Sequence, residues 1–339
     1  MPLRLSVLDQ APVPQGQSSG DALRNSLDLA RLTDLLGYTR YWLAEHHGAA
    51  SLACASPEVM IGPVAAATRH MRIGSGGIML PHYSPLKVAE SFSMLAGLYP
   101  NRIDLGIGRA AGTTARIAHA LQRDQRHPPA DDFPRQLAEL MAYLSNRHPL
   151  LPGHFESPEL WLLGSSSQSA EWAAELGLSY TFADFINPEG APYTSYYRQA
   201  FTPSAARAKP RTAVAVSVIC AATDAEAMRL SASLRVMLLM LFRGRTIPVP
   251  PVDEAEAVLR AEGLPFEAIP AGRRFVTGSP ATVRRQLENL ASDYGAEELL
   301  LVTNVFDHQA RRRSYELLAA EFALAAPSES QIESQSSTV

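Results

Sequence analysis

Short apolar runs alternate along the chain with longer segments in which apolar residues recur at helical spacing. Eight of these runs have the length of buried strands: residues 3–8, 40–44, 72–80, 102–107, 160–163, 180–183, 213–220 and 298–303. Between the first two runs, Leu23, Leu27 and Ala30 mark one face of a helix that stops at Gly37. This order of strand and helix predicts an α/β protein with a parallel sheet. A count of eight strands favours a closed (β/α)8 TIM barrel over a doubly wound sheet.

One segment interrupts the alternation. Residues 223–297 lie between the seventh and eighth predicted strands, and we interpret them as an insertion. The insertion contains a nearly all-apolar helix at residues 234–242 and a second helix that begins at Ser279 and Pro280. We expect residues 1–325 to form a single barrel domain that includes this insertion. Residues 326–339 are serine-rich and lack periodicity, so we predict a disordered tail.

Composition argues against several classes of partner. The chain has 339 residues, 46% of them hydrophobic, and a net charge of −4, so no basic surface for nucleic acid or an anionic membrane is expected. Its two cysteines, Cys54 and Cys220, predict neither a disulfide framework nor a cysteine-based metal site. The N-terminal segment is too polar for a signal peptide, and the longest apolar run, residues 236–242, is too short to span a bilayer. We therefore expect a cytoplasmic protein.

Polar residues and glycines occur at the ends of four predicted strands. In TIM barrels, catalytic groups lie at the carboxyl ends of the strands. The ends of the second to fifth strands carry Glu45, His46 and His47; Gly76 and Gly77; Gly108 and Arg109; and Gly164, Ser165 and Ser166. We expect these residues to converge on one face of the barrel, a coincidence that packing alone explains poorly.

The glycine pair has two interpretations. Gly76 and Gly77 lie near the end of an otherwise apolar strand, which adjacent glycines weaken. The pair either exposes bare backbone against which a flat group lies, or forms a bulge that relieves crowding.

The histidines that follow the second strand also have two interpretations. Glu45, His46 and His47 alternate across the strand, so they cannot all bind one metal, and we predict no metal site. A histidine here is explained structurally by a bond to a neighbouring carboxylate. The functional interpretation is that His46 donates or accepts a proton near neutral pH at the barrel mouth.

A phosphate site is predicted beside the glycine pair. Arg109 follows a glycine at a strand end, where a guanidinium suits a phosphate, although loops also carry surface arginines. Ser166 and Ser169 open a helix, and free N–H groups and hydroxyls at a helix N-terminus bind phosphate. The structural alternative at this helix is a capping box made by Ser165 and Gln168.

Arg135 adds a weaker indication of an anion. It lies at the start of a later helix, where the helix dipole makes a cation slightly unfavourable. A flat slot, a phosphate site and a nearby histidine together fit flavin mononucleotide (FMN), which has a planar ring and one terminal phosphate. No GxGxxG sequence follows the first strand, so a dinucleotide in a Rossmann site is not expected.

Five segments taken in order resemble the bacterial luciferase-like flavin-dependent monooxygenase family. The resemblance covers residues 3–325 and is strongest in RYWLAEHH (40–47), RIGSGGIMLPHYSPLKVAE (72–90), PNRIDLGIGRAAG (100–112), SAEWAAELGL (169–178) and GSPATVRRQL (278–287). It implies a (β/α)8 barrel with an insertion before the last strand. It also implies a reduced flavin, or in one branch a deazaflavin, bound at the strand ends.

The resemblance also assigns roles to single residues. Gly76 and Gly77 match a pair that family members often join by a cis peptide beneath the flavin ring, and His46 matches a histidine important for the oxidative chemistry. The positions that match phosphate-binding residues are Arg109, Arg135, Ser166 and Ser169. This chain departs from the pattern at Ser165, where luciferases have a glutamate, which bears on flavin affinity and choice.

The resemblance implies a two-component flavin-dependent monooxygenase. A separate flavin reductase would supply reduced FMN, and O2 would oxygenate a small organic substrate through a peroxyflavin. The alternatives are a deazaflavin (F420)-dependent hydride-transfer enzyme and a non-catalytic flavin-binding protein. Substrate would lie under the insertion, where Met237 and Met240 either line an adaptable pocket or belong to a buried helix or dimer contact.

A homodimer is implied by the resemblance and also by the sequence. The helices after the second and third strands carry more apolar residues than a core needs, namely Val59, Met60, Val64, Phe92, Met94 and Leu95. We expect the dimer to form through these two helices.

Overall fold

A computed structural model describes residues 3–109, 114–121, 132–145, 148–150, 156–263 and 272–325. The predicted tail at residues 326–339 lies outside this range. The strands are β1 (Arg4–Asp9), β2 (Arg40–Leu43), β3 (Arg72–Met79), β4 (Ile103–Gly108), β5 (Glu159–Gly164), β6 (Ser179–Ala183), β7 (Thr212–Cys220), β8 (Phe275–Gly278) and β9 (Glu298–Val302).

The strands form a closed parallel barrel. Each strand from β1 to β7 pairs with the next, and β9 pairs with both β7 and β1, so eight strands complete the circle. The surrounding helices are α1 (Ser19–Leu35), α2 (Pro57–Ala67), α3 (Pro85–Leu98), α4 (Ala115–Leu121), α5 (Phe133–Leu144), α6 (Ser167–Glu175), α7 (Ala191–Ala200), α8 (Asp224–Leu230), α9 (Ala232–Phe242), α10 (Val252–Ala261), α11 (Pro280–Tyr294) and α12 (His308–Glu321). The predicted TIM-barrel fold is confirmed.

The sequence analysis missed one strand. The strand β8 lies inside the predicted insertion and pairs in parallel with the C-terminal half of β7, from Ser217 opposite Phe275 to Cys220 opposite Gly278. It extends the sheet beyond the point where β6 pairs with β7. A four-residue strand that follows two arginines gives no clear alternation of apolar and polar residues, which is why the pattern did not reveal it.

Alternate residues of the strands face two different cores. Between the sheet and the helices lie residues such as Val7, Tyr41 and Leu43, whereas Leu8, Trp42 and Trp161 belong to a separate cluster inside the barrel. The rings of Trp42 and Trp161 meet edge to face with centroids 5.3 Å apart. This two-residue period follows from the pleat of a strand, whose side chains point alternately to opposite faces.

The barrel interior below these rings is charged. Arg40 lies between Asp104 and Glu298, at 2.5 Å and 2.9 Å respectively, and all three side chains are buried. Trp42 connects the tryptophan rings to these charges, because its indole N–H donates to Asp104 at 2.9 Å. These residues are at the amino-terminal ends of their strands, opposite to the end where barrel enzymes place their active sites.

Burial of several side chains on α2 and α3 corrects part of the predicted dimer surface. Val64, Phe92 and Leu95 are buried in the core, so they are unavailable to a partner. Val59 on α2 and Met94 on α3 are 67% and 64% exposed, and the neighbouring Leu98, 69% exposed, extends the same two helices. A homodimer remains a prediction and would use these outward residues. Within the described ranges, no helix is long and apolar enough to cross a membrane.

Candidate active site

A cavity of about 290 Å³ opens at the carboxyl ends of the strands. Six of the seven site residues predicted from the sequence line it: His46, Gly76, Gly77, Arg109, Ser166 and Ser169. Apolar residues complete the wall, among them Leu8, Met79, Leu163, Trp172, Phe185 and Ile186. The expected convergence of the strand ends on one face is therefore present in the fold.

The peptide bond between Gly76 and Gly77 is cis, as the resemblance implied. The β3–β4 register shifts between Ser75 and Ile78, so the pair also forms an irregularity of the strand. Both of the interpretations drawn from the sequence therefore apply to it. Since both glycines line the cavity, their bare backbone forms part of its wall.

The structure corrects the reason why side chains are excluded at the glycine pair. If a flat group lies against bare backbone there, a larger residue at Gly76 would fill the slot itself. A Cβ on Gly76 would instead lie 2.4 Å from Leu8 Cδ1, inside the barrel, and a Cβ on Gly77 would lie 2.8 Å from the carbonyl oxygen of Gly106. The exclusion therefore comes from packing against β1 and β4.

Replacing Gly77 by alanine is expected to lower the free energy of unfolding by about 1–3 kcal/mol, because backbone atoms of β4 must move to accept the Cβ. Gly108→Ala is a matched control, since a Cβ there would meet Met79 Sδ at 3.6 Å, an ordinary contact. That control should change stability by less than about 0.5 kcal/mol. Urea unfolding of the two variants measures the difference, and equal midpoints would contradict the packing argument.

The first turn of α6 forms one end of the cavity. Ser166 is the N-cap residue, and among the described residues its side chain makes no capping hydrogen bond. The capping box considered as the structural alternative does not form, because the N-cap residue is Ser166 and not Ser165, and Gln168 donates to Glu171 at 3.0 Å. Backbone N–H groups at the start of a helix bind anions well when no side chain caps them.

Arg109 brings positive charge to the same end of the cavity. Its guanidinium carbon lies 5.5 Å from the ring centroid of Trp172, which belongs to α6 and also lines the cavity. A cation held over an aromatic face keeps a defined position. The end of the cavity next to α6 therefore joins a cation to an exposed helix N-terminus.

Ser169 supports this end of the cavity but is already bonded within the protein. Its hydroxyl donates to the carbonyl of Ser166 at 2.7 Å and lies 2.8 Å from the hydroxyl of Tyr180. A Cβ on Gly164 would lie 2.2 Å from Ser169 Oγ, so that glycine lets β5 approach the helix closely. The hydroxyl of Ser169 thus fixes the N-cap backbone beside the cavity.

The structure does not bring Arg135 into the cavity wall. Its side chain is 77% exposed, and its Nη2 lies 2.6 Å from Asp132, the N-cap residue of α5. The anion partner that the helix dipole suggested is thus this carboxylate, three residues earlier in the chain. The expected phosphate contact of Arg135 finds no support in the described part of the chain.

His46 has an imidazole that is neutral at ordinary pH. Burial, together with the neighbouring His47, lowers the pKa of His46 to about 4. Its Nδ1 is buried and has no hydrogen-bond partner among the described residues. We expected a group that titrates near neutral pH, whereas the structure gives a neutral ring with an unsatisfied nitrogen at a cavity wall. Such an atom is suited to hydrogen bond with a bound molecule.

Several lining residues escaped the sequence analysis. Gln10 accepts a hydrogen bond from Asn304 at 2.6 Å, and Trp172 supports Arg109. Phe185 and Ile186 follow β6, whose end we had not considered. A search of every strand end, the sixth included, would have found them. Met237 and Met240 are not among the described lining residues, and Met240 packs instead in the cluster of α9 and α10.

A family model described as luciferase-like monooxygenase matches residues 3–298. The chain belongs to the luciferase-like monooxygenase family. The luciferase-like monooxygenase of Escherichia coli K12 is 40% identical over 321 residues, which cover 93% of this chain and 96% of that protein. The N-acetyl-S-alkylcysteine monooxygenase of Bacillus subtilis 168 is 35% identical over 328 residues, with coverages of 94% and 97%. The resemblance and the enzyme class predicted from the sequence are confirmed.

Solved structures agree with this fold. The crystal structure of apo-MsnO8 is 44% identical, has a TM-score of 0.88, and covers 95% of this chain and 99% of its own. The oxygenating constituent of 3,6-diketocamphane monooxygenase from the CAM plasmid of Pseudomonas putida, solved with FMN, has a TM-score of 0.72 at 20% identity, with coverages of 95% and 98%. An F420-dependent secondary alcohol dehydrogenase, solved with an F420–acetone adduct, has a TM-score of 0.62 at 15% identity, with coverages of 95% and 99%. The last two comparisons concern the fold alone.

Proposed function

We propose that this luciferase-like monooxygenase uses reduced FMN and O2 to oxygenate a small organic substrate. A separate flavin reductase would supply the reduced FMN, and the enzyme would act as a homodimer. The observation that carries the proposal is a single cavity that joins the bare backbone of Gly76 and Gly77 to the N-terminus of α6 and Arg109. A flavin mononucleotide has the same two parts, a planar ring and a terminal phosphate.

The residues present fit such a cofactor. The unsatisfied Nδ1 of His46 supplies a hydrogen-bonding atom, and Arg109 and the first turn of α6 suit a phosphate. The apolar side chains of Leu8 and Phe185 exclude water from the cavity wall. When bound, reduced FMN supplies two electrons, with which one atom of O2 is transferred to the substrate and the other is reduced to water.

Anaerobic titration separates the proposal from its alternatives. The protein should bind reduced FMN, and admission of O2 should reoxidise the bound flavin at a rate that differs from that of free flavin. Tight binding of F420 with weak binding of reduced FMN would favour hydride transfer instead. Binding of reduced FMN with no effect on its reaction with oxygen would favour a non-catalytic flavin-binding protein.

Replacing Arg109 by alanine is expected to weaken FMN binding by about 2 kcal/mol, because a charge-assisted hydrogen bond to the phosphate is lost. Riboflavin, which lacks the phosphate, should bind to the variant nearly as well as to the wild type. Arg135→Ala is a matched control, since that exposed arginine pairs with Asp132 and should not affect either ligand. Fluorescence titration of the wild type and both variants with each ligand measures all six affinities. Equal losses for FMN and riboflavin in Arg109→Ala would contradict the phosphate assignment.

A further inference from the structure

A cluster of titratable side chains lies behind the cavity and has no role in flavin binding as proposed above. It centres on Glu45, which follows β2, is fully buried and lines the cavity. One carboxylate oxygen lies 2.6 Å from His47 Nε2, and the other accepts the backbone N–H of Met79 at 3.0 Å. The hydroxyl of Tyr83 also donates to this carboxylate. These bonds hold the carboxylate in one position at the cavity wall.

The pair of Glu45 and His47 connects the cavity to the outside. The side chain of Glu45 is 0% exposed, whereas that of His47 is 12% exposed and is therefore reached by water. Glu45 and His47 are two residues apart, so an extended chain places them on the same side. A carboxylate and an imidazole at hydrogen-bond distance exchange a proton readily.

Two further acids face this pair. Glu58 on α2 has a buried Oε2 that has no partner among the described residues. Burial, and then the charge of Glu45, raise the pKa of Glu58. Burial, followed by the charges of Glu45 and Glu58, raises the pKa of the Tyr83 hydroxyl far above its usual range. The phenol therefore keeps its proton and acts as a fixed donor to Glu45.

Two other neighbours, Cys54 and His46, do not supply a mobile proton at neutral pH. Burial raises the pKa of the Cys54 thiol to about 12, and burial lowers the pKa of His46 to about 4. The ring of His82 meets that of His47 edge to face, with the ring centroids 5.7 Å apart. Glu45 and His47 are thus the pair whose hydrogen bond leads from the cavity towards solvent.

We propose that Glu45 and His47 form a proton relay from solvent to the candidate cavity, an inference that rests on the proposed function. When the anion of reduced FMN is reoxidised by O2 to FMN and hydrogen peroxide, two electrons and one flavin proton pass to oxygen, and one more proton must come from solvent. Glu45 passes that proton from His47 Nε2 to the reduced oxygen. His47 then takes a proton from water.

The test uses the full-length protein loaded with reduced FMN and mixed with O2 between pH 6 and 9, in H2O and in D2O. Glu45→Gln keeps an acceptor for the Met79 N–H but cannot release a carboxyl proton. We expect its reoxidation to be about 100-fold slower, with loss of the pH dependence and of the solvent isotope effect. Glu45→Asp, which keeps a carboxyl group, should restore both in part.

A matched control separates the relay from a general effect of removing a histidine. His308 also pairs with a carboxylate, Asp28, at 2.8 Å, but on α12 and away from the cavity. His308→Gln should therefore reoxidise like the wild type, whereas His47→Gln should behave like Glu45→Gln. Equal rates and isotope effects in Glu45→Gln and the wild type would overturn the relay. Slowing with an unchanged isotope effect would also overturn it and leave Glu45 a positioning residue.

A second readout does not depend on turnover. Infrared difference spectra of the flavin-free protein across the same pH range should contain a carboxyl band that is absent in Glu45→Gln. In His47→Gln that band should appear at a different pH, because the carboxyl group has lost its partner. A band that is unchanged in His47→Gln would contradict the pair. If the wild type fails to bind reduced FMN, the proposed function fails, while the infrared comparison still decides whether the two side chains share a proton.

Discussion

Replacing Arg40 by methionine is expected to lower the free energy of unfolding by about 3–5 kcal/mol, because it removes one partner from a buried ion cluster. The guanidinium lies 2.5 Å from Asp104 and 2.9 Å from Glu298, and both carboxylates are fully buried at the floor of the barrel. Burial alone would raise the pKa of Asp104, but Arg40 and Arg72 hold it below its usual range. Without Arg40, the two carboxylates stay in the interior with less compensating charge.

Arg24→Met provides the matched comparison for this loss. Arg24 pairs with Asp21 at 2.6 Å, but its side chain is 70% exposed, so the same substitution there should cost less than about 1 kcal/mol. Urea unfolding followed by circular dichroism measures both variants under one set of conditions. Equal losses of unfolding free energy in the two variants would contradict the argument that burial makes the ion pairs of Arg40 costly to break.

The barrel was predictable because its strands are short, mostly apolar runs that alternate with helices. Residues 213–220, for example, are apolar except for Ser217, and the structure shows β7 buried along its whole length. The ion cluster below the tryptophans was not predictable in this way. Arg40 and Asp104 are 64 residues apart, and only the closed barrel brings them together. Charged residues in a strand sequence therefore gave no sign of their partners.

The positions of the site residues were also predictable, but the contacts of their side chains were not. Strand ends meet at one face of a barrel, so the positions of His46, Gly76 and Arg109 followed from the order of the elements. What the sequence did not contain was the direction of individual side chains. Arg135 begins a helix, as expected, yet its side chain turns to Asp132, and the hydroxyl of Ser169 is engaged by the protein itself. Rotamers of this kind depend on neighbours that are distant along the chain.

His46 illustrates how burial changes the chemistry of a residue whose position was predicted correctly. An imidazole with the ordinary pKa of 6.5 is a proton donor or acceptor near neutral pH, which is the role that the sequence suggested. Burial lowers the pKa of His46 to about 4, with a smaller effect from His47. At neutral pH the ring therefore carries no charge, and its buried Nδ1 has no hydrogen-bond partner among the described residues. In the relay proposed above, the neighbouring pair of Glu45 and His47 handles the proton instead.

The low pKa of His46 predicts a loss of stability in acid. Below pH 6.5 the unfolded chain binds a proton that the folded protein accepts only near pH 4, so the free energy of unfolding falls as the pH falls through this window. With about 1.4 kcal/mol for each unit of pKa difference, the wild type should lose about 3 kcal/mol between pH 7 and pH 4 through this residue. His46→Gln, which has no proton to bind, should lack this part of the decline.

The difference between the two proteins isolates His46, because the other buried acids titrate in both. Urea unfolding at intervals from pH 7 to pH 4 should give curves that converge as the pH falls, with the wild type losing the greater stability. Nuclear magnetic resonance of the His46 ring in the folded protein gives the pKa directly. A midpoint near 6.5, or parallel stability curves, would show that the ring is reached by water and would restore it as a candidate proton donor. A midpoint near 4 would mean that any pH dependence of flavin reoxidation above pH 5 arises from other groups, as the relay through Glu45 requires.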